Sequence, residues 1–478
     1  MDTYNHLFKK TKVICTIGPA SEDKDTLLKM AEAGMNIARL NFSHGTYEEH
    51  AERIKMIREV SDTSGHNIAV ALDTKGPEIR LGNFINDTET YEIGEIVYLT
   101  KAEIEGTHER FHIACPELFD DLSQGNYILV NDGKMKLTVL ENDGSEMKCR
   151  VEVAGPISSH KGCNVPGVKL SMPFLSEKDA ADIRFGCQND VDFIFASFVR
   201  RASDVNQIRK ICIEQGKPRI NIIAKIENQE GYDNVDHILE AADGVMVARG
   251  DLGVEIPTMM VPVYQKHIIH EANIVGKPVI TATHMLDSMT HNPRCTRAEA
   301  ADVCNAVLDG SDGVMLSAET AAGDYPVEAT ETMSQIAEEA EKILPYRTRL
   351  DWLRTTSNNT VQDAVSLAIA ESTLTLENIG AIVVFTQGGT TARRISKYRP
   401  KVPILAITFT TDTQRKLESY WGVLPIFSDV QNQMTNDDDL ASLFAKDYGI
   451  PKGSLIIISA GYPTGEGSAN MMKIVEVK

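Results

Sequence analysis

The stretch NIIAKIENQEG (221–231) reads as a covered parallel strand into which charge has been set. Ile222, Ile223, Ala224 and Ile226 belong to a strand buried on both faces, yet Lys225 lies inside the run and Glu227 directly after it. Side chains two apart on a strand share a face. Lys225 and Glu227 therefore point the same way. A cation and a carboxylate facing together from so apolar a strand need either a site that uses them or each other as ion partners.

Seven further apolar runs resemble this one: KVICTI (12–17), NIARLN (36–41), IAVALD (68–73), DFIFASF (192–198), GVMVA (244–248), PVITAT (278–283) and GVMLS (313–317). Amphipathic stretches at 24–33, 47–61, 177–185, 202–214, 262–275 and 297–308 alternate with them as helices. Eight such strands predict an α/β chain built on a closed (β/α)8 TIM barrel, with a doubly wound open sheet as the alternative. The alternation breaks after the third run. Short alternating strands follow, with Asn131-Asp132-Gly133 and Asn142-Asp143-Gly144 as turn signals, and read as a small β domain set into a barrel loop. The expected division is barrel at 1–76 and 161–344, an inserted β-barrel domain acting as a lid at 77–160, and a C-terminal α/β regulatory domain at 345–478. In the last of these, strands are expected at 381–386, 404–408 and 454–459. The polar TTSNNT (355–360) fits a cap for a helix beginning near Val361.

The formal charge of −20 over 478 residues argues against a binder of nucleic-acid backbones, whose footprint is basic. No run is long enough to span a bilayer, and the first nineteen residues lack the apolar core of a secretory leader, so a cytoplasmic protein is expected. Eight cysteines without a C-x-x-C pair read as reduced structural thiols rather than a metal cluster. In that compartment Arg249-Gly250-Asp251 is no adhesion signal, and Asn41-Phe42-Ser43 is no glycosylation site.

Barrel enzymes build their sites from the C-terminal ends of strands and the loops after them. Here those ends carry Arg39, Asn41 and Ser43; Asp73 and Thr74; Lys225 and Glu227; Arg249, Gly250 and Asp251; Thr283; Ser317 and Glu319. Any one is an ordinary cap or loop charge, but together they converge on one mouth. Glu227 and Asp251, from neighbouring strands, offer the two carboxylates that form the usual protein share of a Mg2+ (or Mn2+) site. Lys225 beside them suits phosphoryl transfer, where catalysis is alignment and charge neutralisation. The alternative is that Lys225 and Glu227 simply pair with each other.

The blocks ARLNFSHG (38–45), LDTKGPEIR (72–80), HKGCNVPG (160–167), IIAKIENQEG (222–231), VARGDLGVEIP (247–257), the run from TATHMLDSM to MLSAET (281–320) and GDYPVEA (323–329) closely resemble the pyruvate kinase family, in order, over about residues 12–325. The resemblance implies transfer of the phosphoryl group of phosphoenolpyruvate to ADP, giving pyruvate and ATP in the last step of glycolysis. It implies Lys225 on the phosphoryl group, Glu227 and Asp251 on Mg2+, and Gly250 with its backbone near the substrate carboxylate. Thr283 would stand beside the enolate carbon, with Ser317 and Glu319 as a proton relay. K+ would take Asn41, Ser43, Asp73 and Thr74; Arg39 and Arg80 would meet phosphate; His44 and Lys161 would reach the nucleotide with Asn41 nearby. Lys161 would arrive only when the lid closes. His284, Ala318 and Cys295 depart from the family's commoner residues without removing a charge. Glu78 resembles the potassium-dependent members, where a lysine would itself supply the charge.

Toward the C-terminus, VVFTQGGTTARRISKYRP (383–400) is a strand, a glycine turn and a basic helix. Backbone N–H groups at such a start suit an anion. The resemblance implies a homotetramer and a phosphorylated allosteric effector at Thr386, Gln387, Gly388, Gly389, Thr390 and Thr391, faced by the glycine-rich loop 461–468; two ordinary turn-and-cap motifs are the alternative. For the whole chain, a lyase or aldolase acting on an oxo-acid enolate, or an inactive regulatory protein on the same fold, stays open at this point.

Overall fold

The computed structural model describes residues 8–429, 437–461 and 469–478. Eight parallel strands close into a barrel: β1 (Lys12–Thr16), β2 (Met35–Asn41), β3 (Ala69–Asp73), β4 (Phe193–Ala196), β5 (Asn221–Ile226), β6 (Gly244–Ala248), β7 (Val279–Ala282) and β8 (Gly313–Leu316). Each pairs with its neighbours in sequence, and β8 returns to β1. The closed barrel, not the open sheet, is the architecture.

Strand alternation sorts the apolar residues into two cores. Ile14, Ile37, Ala69, Ala71, Phe193, Phe195, Ile223, Met246, Ile280, Ala282 and Met315 fill the barrel. Their chain neighbours, such as Val13, Ala38, Val70, Ile194 and Ile222, pack outward against the helices. The inner series continues by twos to Thr16, Arg39, Asp73, Ser197, Lys225 and Ser317. The barrel is thus apolar through its middle and polar at its C-terminal mouth. Capping fixes the helices: Thr46 and Thr296 each form a reciprocal capping box, with Glu49 and Glu299.

Between β3 and β4 a seven-stranded sheet runs Ile79–Arg80, Gly162–Asn164, Tyr127–Val130, Met135–Asn142, Glu146–Val153, Ile96–Thr100 and Arg110–His112 in spatial order. Asn131 and Asp132 take left-handed backbone in its turn, as their sequence signals, with φ of 54° and 55°. The expected boundary at residue 160 falls short. Gly162–Asn164 pairs with both Ile79–Arg80 and the Tyr127–Val130 strand, so the inserted sheet extends past it.

The C-terminal sheet has five strands in the order β11 (Val423–Phe427), β10 (Ile404–Thr408), β9 (Ile379–Phe385), β12 (Leu455–Gly461) and β13 (Ala469–Glu476), the last antiparallel. Two of these, β11 and β13, were not expected from sequence. Thr360 caps the helix Val361–Thr375 by accepting from the Asp363 N–H, as the TTSNNT stretch predicts. This domain docks on the N-terminal ends of the barrel strands, opposite the mouth, through charged contacts. Glu418 accepts from Lys12 Nζ at 3.1 Å and from the Asn36 and Asn67 amides; Arg399 donates to Asp312, and Arg415 to Asp192.

Lys12 and Glu418 are both almost fully buried, so removing one leaves the other uncompensated. Glu418→Ala is expected to destabilise the chain by about 3–5 kcal/mol. Lys12→Met with Glu418→Leu is expected to cost much less. Urea unfolding of the three proteins checks this, and equal losses in the single and double variants would show that the pair is not the source.

Candidate active site

Lys225 stands at the centre of the mouth. Its Nζ donates to Ser197 Oγ at 2.6 Å and Asp73 Oδ1 at 3.1 Å, and lies 3.1 Å from Glu227 Oε1. Asp73 Oδ2 accepts from Arg39 Nε at 2.5 Å, and Arg39 Nη1 donates to Thr16 Oγ1 at 2.9 Å. Ser197 in turn donates to Asp73 Oδ1 and to the Thr74 carbonyl. Lys225 and Glu227 do pair, as the simpler reading held, but as one contact within a network of six side chains.

Burial alone would discharge Lys225; Asp73 and Glu227 outweigh it and hold the ammonium pKa above its ordinary value. Burial likewise opposes the charge on Asp73, and Arg39 with Lys225 carries its pKa below the usual carboxylate range. Glu227 is different. Burial pushes it up to about 7 against the pull of Lys225, and Asp251 adds to the rise. One oxygen accepts the Phe198 N–H at 2.5 Å, while the buried Oε1 has the Lys225 ammonium 3.1 Å away as its ion partner. Asp251 is open to the cleft but surrounded by protein on its other sides; burial raises its pKa, Lys225 opposes, and Asp132 and Glu78 raise it further.

Thr283 follows β7 with φ of 76°, and His284 continues at 53°. Left-handed backbone is a real outlier for a β-branched residue, and such strain costs about 1–3 kcal/mol per residue. Gly250 packs against this turn. A Cβ there would stand 2.8 Å from Thr283 Cγ2, so the absent side chain is required by the packing as well as by any close-lying ligand. Ser317 is half-buried after β8. Glu319 accepts from the Ser317 and Leu286 N–H groups at 2.7 and 3.1 Å, an arrangement that ties two loops together through backbone.

The four oxygens expected around K+ sit at the ends of β2 and β3, where Asn41 and Asp73 are register partners. Asn41 Oδ1 accepts the Ser43 N–H, and Thr74 Oγ1 accepts the Ser197 N–H, each retaining a lone pair. Beside the mouth, a cleft of about 370 Å³ opens between barrel and inserted sheet, lined among others by Glu78, Arg80, Asp132, Lys161, Phe198 and Asp251. Arg80 donates to Glu78 Oε2 at 2.8 Å and to the His160 carbonyl. His44 is exposed at the rim, its carbonyl accepting from His50.

Sequence reading missed Ser197, Thr16 and the contact partners of Arg249. Parity could have found the first two, since both continue the inward series by two residues. Phe198, strained at φ of 54°, supplies its N–H to Glu227 only because of that backbone, and nothing in its side chain signals this. In the C-terminal domain Thr386 Oγ1 accepts the Gly389 N–H, and the helix Thr390–Lys397 starts without a side-chain cap. Gln387 and Gly388 are exposed, Thr390 half-buried and Thr391 buried. Residues 462–468 of the facing loop lie outside the described residues.

A buried lysine thus contacts two carboxylates at the barrel mouth, with Asp251 beside it and a β domain across the cleft. Residues 8–330 match the pyruvate kinase barrel domain, and residues 363–475 match that family's alpha/beta domain. The chain belongs to the pyruvate kinase family. Proteins described as pyruvate kinase from Geobacillus stearothermophilus and Staphylococcus epidermidis are each 50% identical to it over 472 residues, 98% of this chain and 80% of theirs. One from Staphylococcus aureus is 50% identical over 473 residues, with the same coverage. The chain is accordingly a phosphotransferase of glycolysis, and its family requires metal ions. Among the described residues no helix is long and apolar enough to cross a membrane.

The inserted sheet meets the barrel where Asn164 Nδ2 donates to Glu255 Oε1 at 2.8 Å. Burial pushes Glu255 up to about 7, with Asn164 opposing. A carboxyl raised on folding favours the protonated native state, so its stabilising contribution is complete below the unfolded value near 4.5 and is lost as pH rises toward 7. Glu255→Gln is expected to unfold at higher temperature than the parent at pH 8 and at the same temperature at pH 4. Thermal scans at the two pH values check this; an advantage that persists at pH 4 would deny the titration.

Proposed function

We propose that the chain carries out its family's reaction, phosphoenolpyruvate with ADP to pyruvate and ATP, at the mouth centred on Lys225. The observation that carries the reading is a buried ammonium held charged by Asp73 and Glu227 beside Asp251, which is open to the cleft. In the reaction the bond from phosphorus to the enol oxygen breaks, one to the terminal oxygen of ADP forms, and the enolate left behind takes a proton at carbon. Lys225 offsets the charge on the phosphoryl group as it moves, and Arg39, fixed by Asp73 and Thr16, meets its oxygens. Gly250 leaves room for the substrate carboxylate, and Thr283 stands at the carbon to be protonated, with Ser317 behind it and Glu319 holding the Ser317 backbone.

Glu227 and Asp251 fit a divalent cation. A fully buried carboxyl raised to about 7, even with the Lys225 ammonium 3.1 Å from its Oε1, is the imbalance that a cation relieves. Mg2+ or Mn2+ bound there would neutralise substrate oxygens and bridge them to the protein. K+ would take Asn41, Ser43, Asp73 and Thr74, with Glu78 paired to Arg80 rather than supplying positive charge. Lys161 and Arg80 line the cleft for ADP phosphates, His44 and Asn41 lie toward the nucleotide, and the inserted domain acts as the lid. The enzyme works as a cytoplasmic homotetramer whose C-terminal turn, Thr386 to Thr391, takes a phosphorylated effector.

Turnover with Mg2+ and K+ omitted in turn tests the cation sites. Both omissions are expected to abolish most activity, and Glu78→Lys to relax the K+ requirement; full activity in buffer free of K+ and NH4+ would remove the monovalent site. Lys225→Met is expected to slow phosphoryl transfer by about 10²–10³-fold, and parental turnover in that variant would end the role given to Lys225.

The effector site has its own test. Gln387 is exposed in the turn, so Gln387→Glu places a negative charge there without disturbing packing. Activation by sugar phosphates and nucleoside monophosphates at low phosphoenolpyruvate is expected in the parent and absent from the variant. Hyperbolic kinetics in the parent, unmoved by that panel, would return the turn to an ordinary helix start.

A further inference from the structure

The guanidinium of Arg249 is spent almost wholly on one turn. Its Nη2 donates to the Thr283 carbonyl at 2.7 Å and reaches Met285 Sδ at 2.9 Å, while Nε lies 3.2 and 3.3 Å from the Thr283 and Ala282 carbonyls. The third nitrogen, Nη1, pairs with Asp302 at 2.7 Å and approaches Gln265, so the helices Arg297–Asp309 and Val261–Val275 fix the arginine from behind. The turn it grips holds Thr283 and His284, two consecutive non-glycine residues in left-handed backbone. On the other side Gly250, next in chain to Arg249, lies against Thr283 Cγ2. Strained backbone persists only where its surroundings over-determine it. Here the fork of an arginine, whose several donors are fixed in one plane, supplies that determination through carbonyl oxygens.

We propose that Arg249 is a positioning residue for Thr283: it holds the threonine in its left-handed conformation at the mouth and acts on the reaction only through it. The inference rests on the role given to Thr283 above. A lysine at 249 keeps the charge but presents a single point donor, and cannot hold Asp302 and the Ala282, Thr283 and His284 carbonyls, the last 3.4 Å from Nη2, together. Misplacing a reacting group by about 1 Å costs about 100-fold in rate.

The test is a double-variant cycle on the holoenzyme, with Mg2+ and K+ saturating, from Arg249→Lys, Thr283→Val and the pair. Arg249→Lys is expected to lower kcat by about 10–100-fold with KM for phosphoenolpyruvate little changed. In the Thr283→Val background it is expected to lower kcat no further. Asp302→Asn, which loosens the arginine without touching the turn, is expected to show the same pattern more weakly, and carries the test if Arg249→Lys fails to fold. Parental kcat in both Arg249→Lys and Asp302→Asn, or effects that multiply in the double variant, would overturn the proposal. Parental kcat in Thr283→Val would instead overturn the role of Thr283, and the inference with it.

Discussion

The mouth of the barrel depends on one buried carboxylate. Asp73 has almost no exposure, yet it holds Arg39 through one oxygen and Lys225 through the other. Without it, two cations would share a desolvated space at close range, and the cheapest response would be for Lys225 to lose its proton. With it, Lys225 stays charged at the mouth. The field at the mouth is therefore assembled before substrate arrives, which is what electrostatic preorganisation requires. Glu227 is the counterweight: its own charge is poorly stabilised, and a divalent cation shared with Asp251 would remove that cost.

How this arrangement is written in the chain follows from strand parity. The inward series Ile223, Lys225 and then Glu227, or Ala69, Ala71 and Asp73, passes from core to chemistry in steps of two along a single strand. That rule, with the strand ends, made the barrel and most of the mouth legible, including Arg39, Asp73, Lys225 and Glu227. Ser197 and Thr16 obeyed the same rule but are chemically quiet residue types, so they did not stand out. What parity cannot show is backbone. The strained Phe198 contributes an N–H, Thr283 contributes a carbonyl to Arg249, and Glu319 works through N–H groups; none of these is encoded by side-chain identity. The strands β11 and β13 were missed for a different reason. β11 contains Pro425, and β13 reads ANMMKIVE, with half-polar composition that suits an edge rather than a covered strand.

The two ends of the barrel divide the work. At the N-terminal ends of the strands Lys12, Asp192 and Asp312 pair with charged residues of the C-terminal domain. At the C-terminal ends Asp251 remains open to a cleft lined by unlike charges. The segment leading out of the inserted domain is tied at its base, where Arg200 donates to the Leu170 and Met172 carbonyls. The inserted sheet also meets the barrel through the Asn164–Glu255 hydrogen bond, so the segment is held at two points near its base.

Strain at the mouth belongs to the same division. Phe198, Thr283 and His284 all take left-handed backbone just beyond β4 and β7, and none is glycine. Each would relax if its loop were free, and each is held by a group rooted in the rigid scaffold: Glu227 at the end of β5 for Phe198, and Arg249 at the end of β6 for the Thr283 turn. A closed sheet can hold such strain because its strands cannot splay to relieve it, and its large inner and outer cores outweigh a few kcal/mol of local cost. The loops at the mouth are therefore not loosely attached to a stable barrel. Their conformations are set by strand-end residues of the neighbouring strands, so the geometry of the site is as fixed as the barrel that carries it.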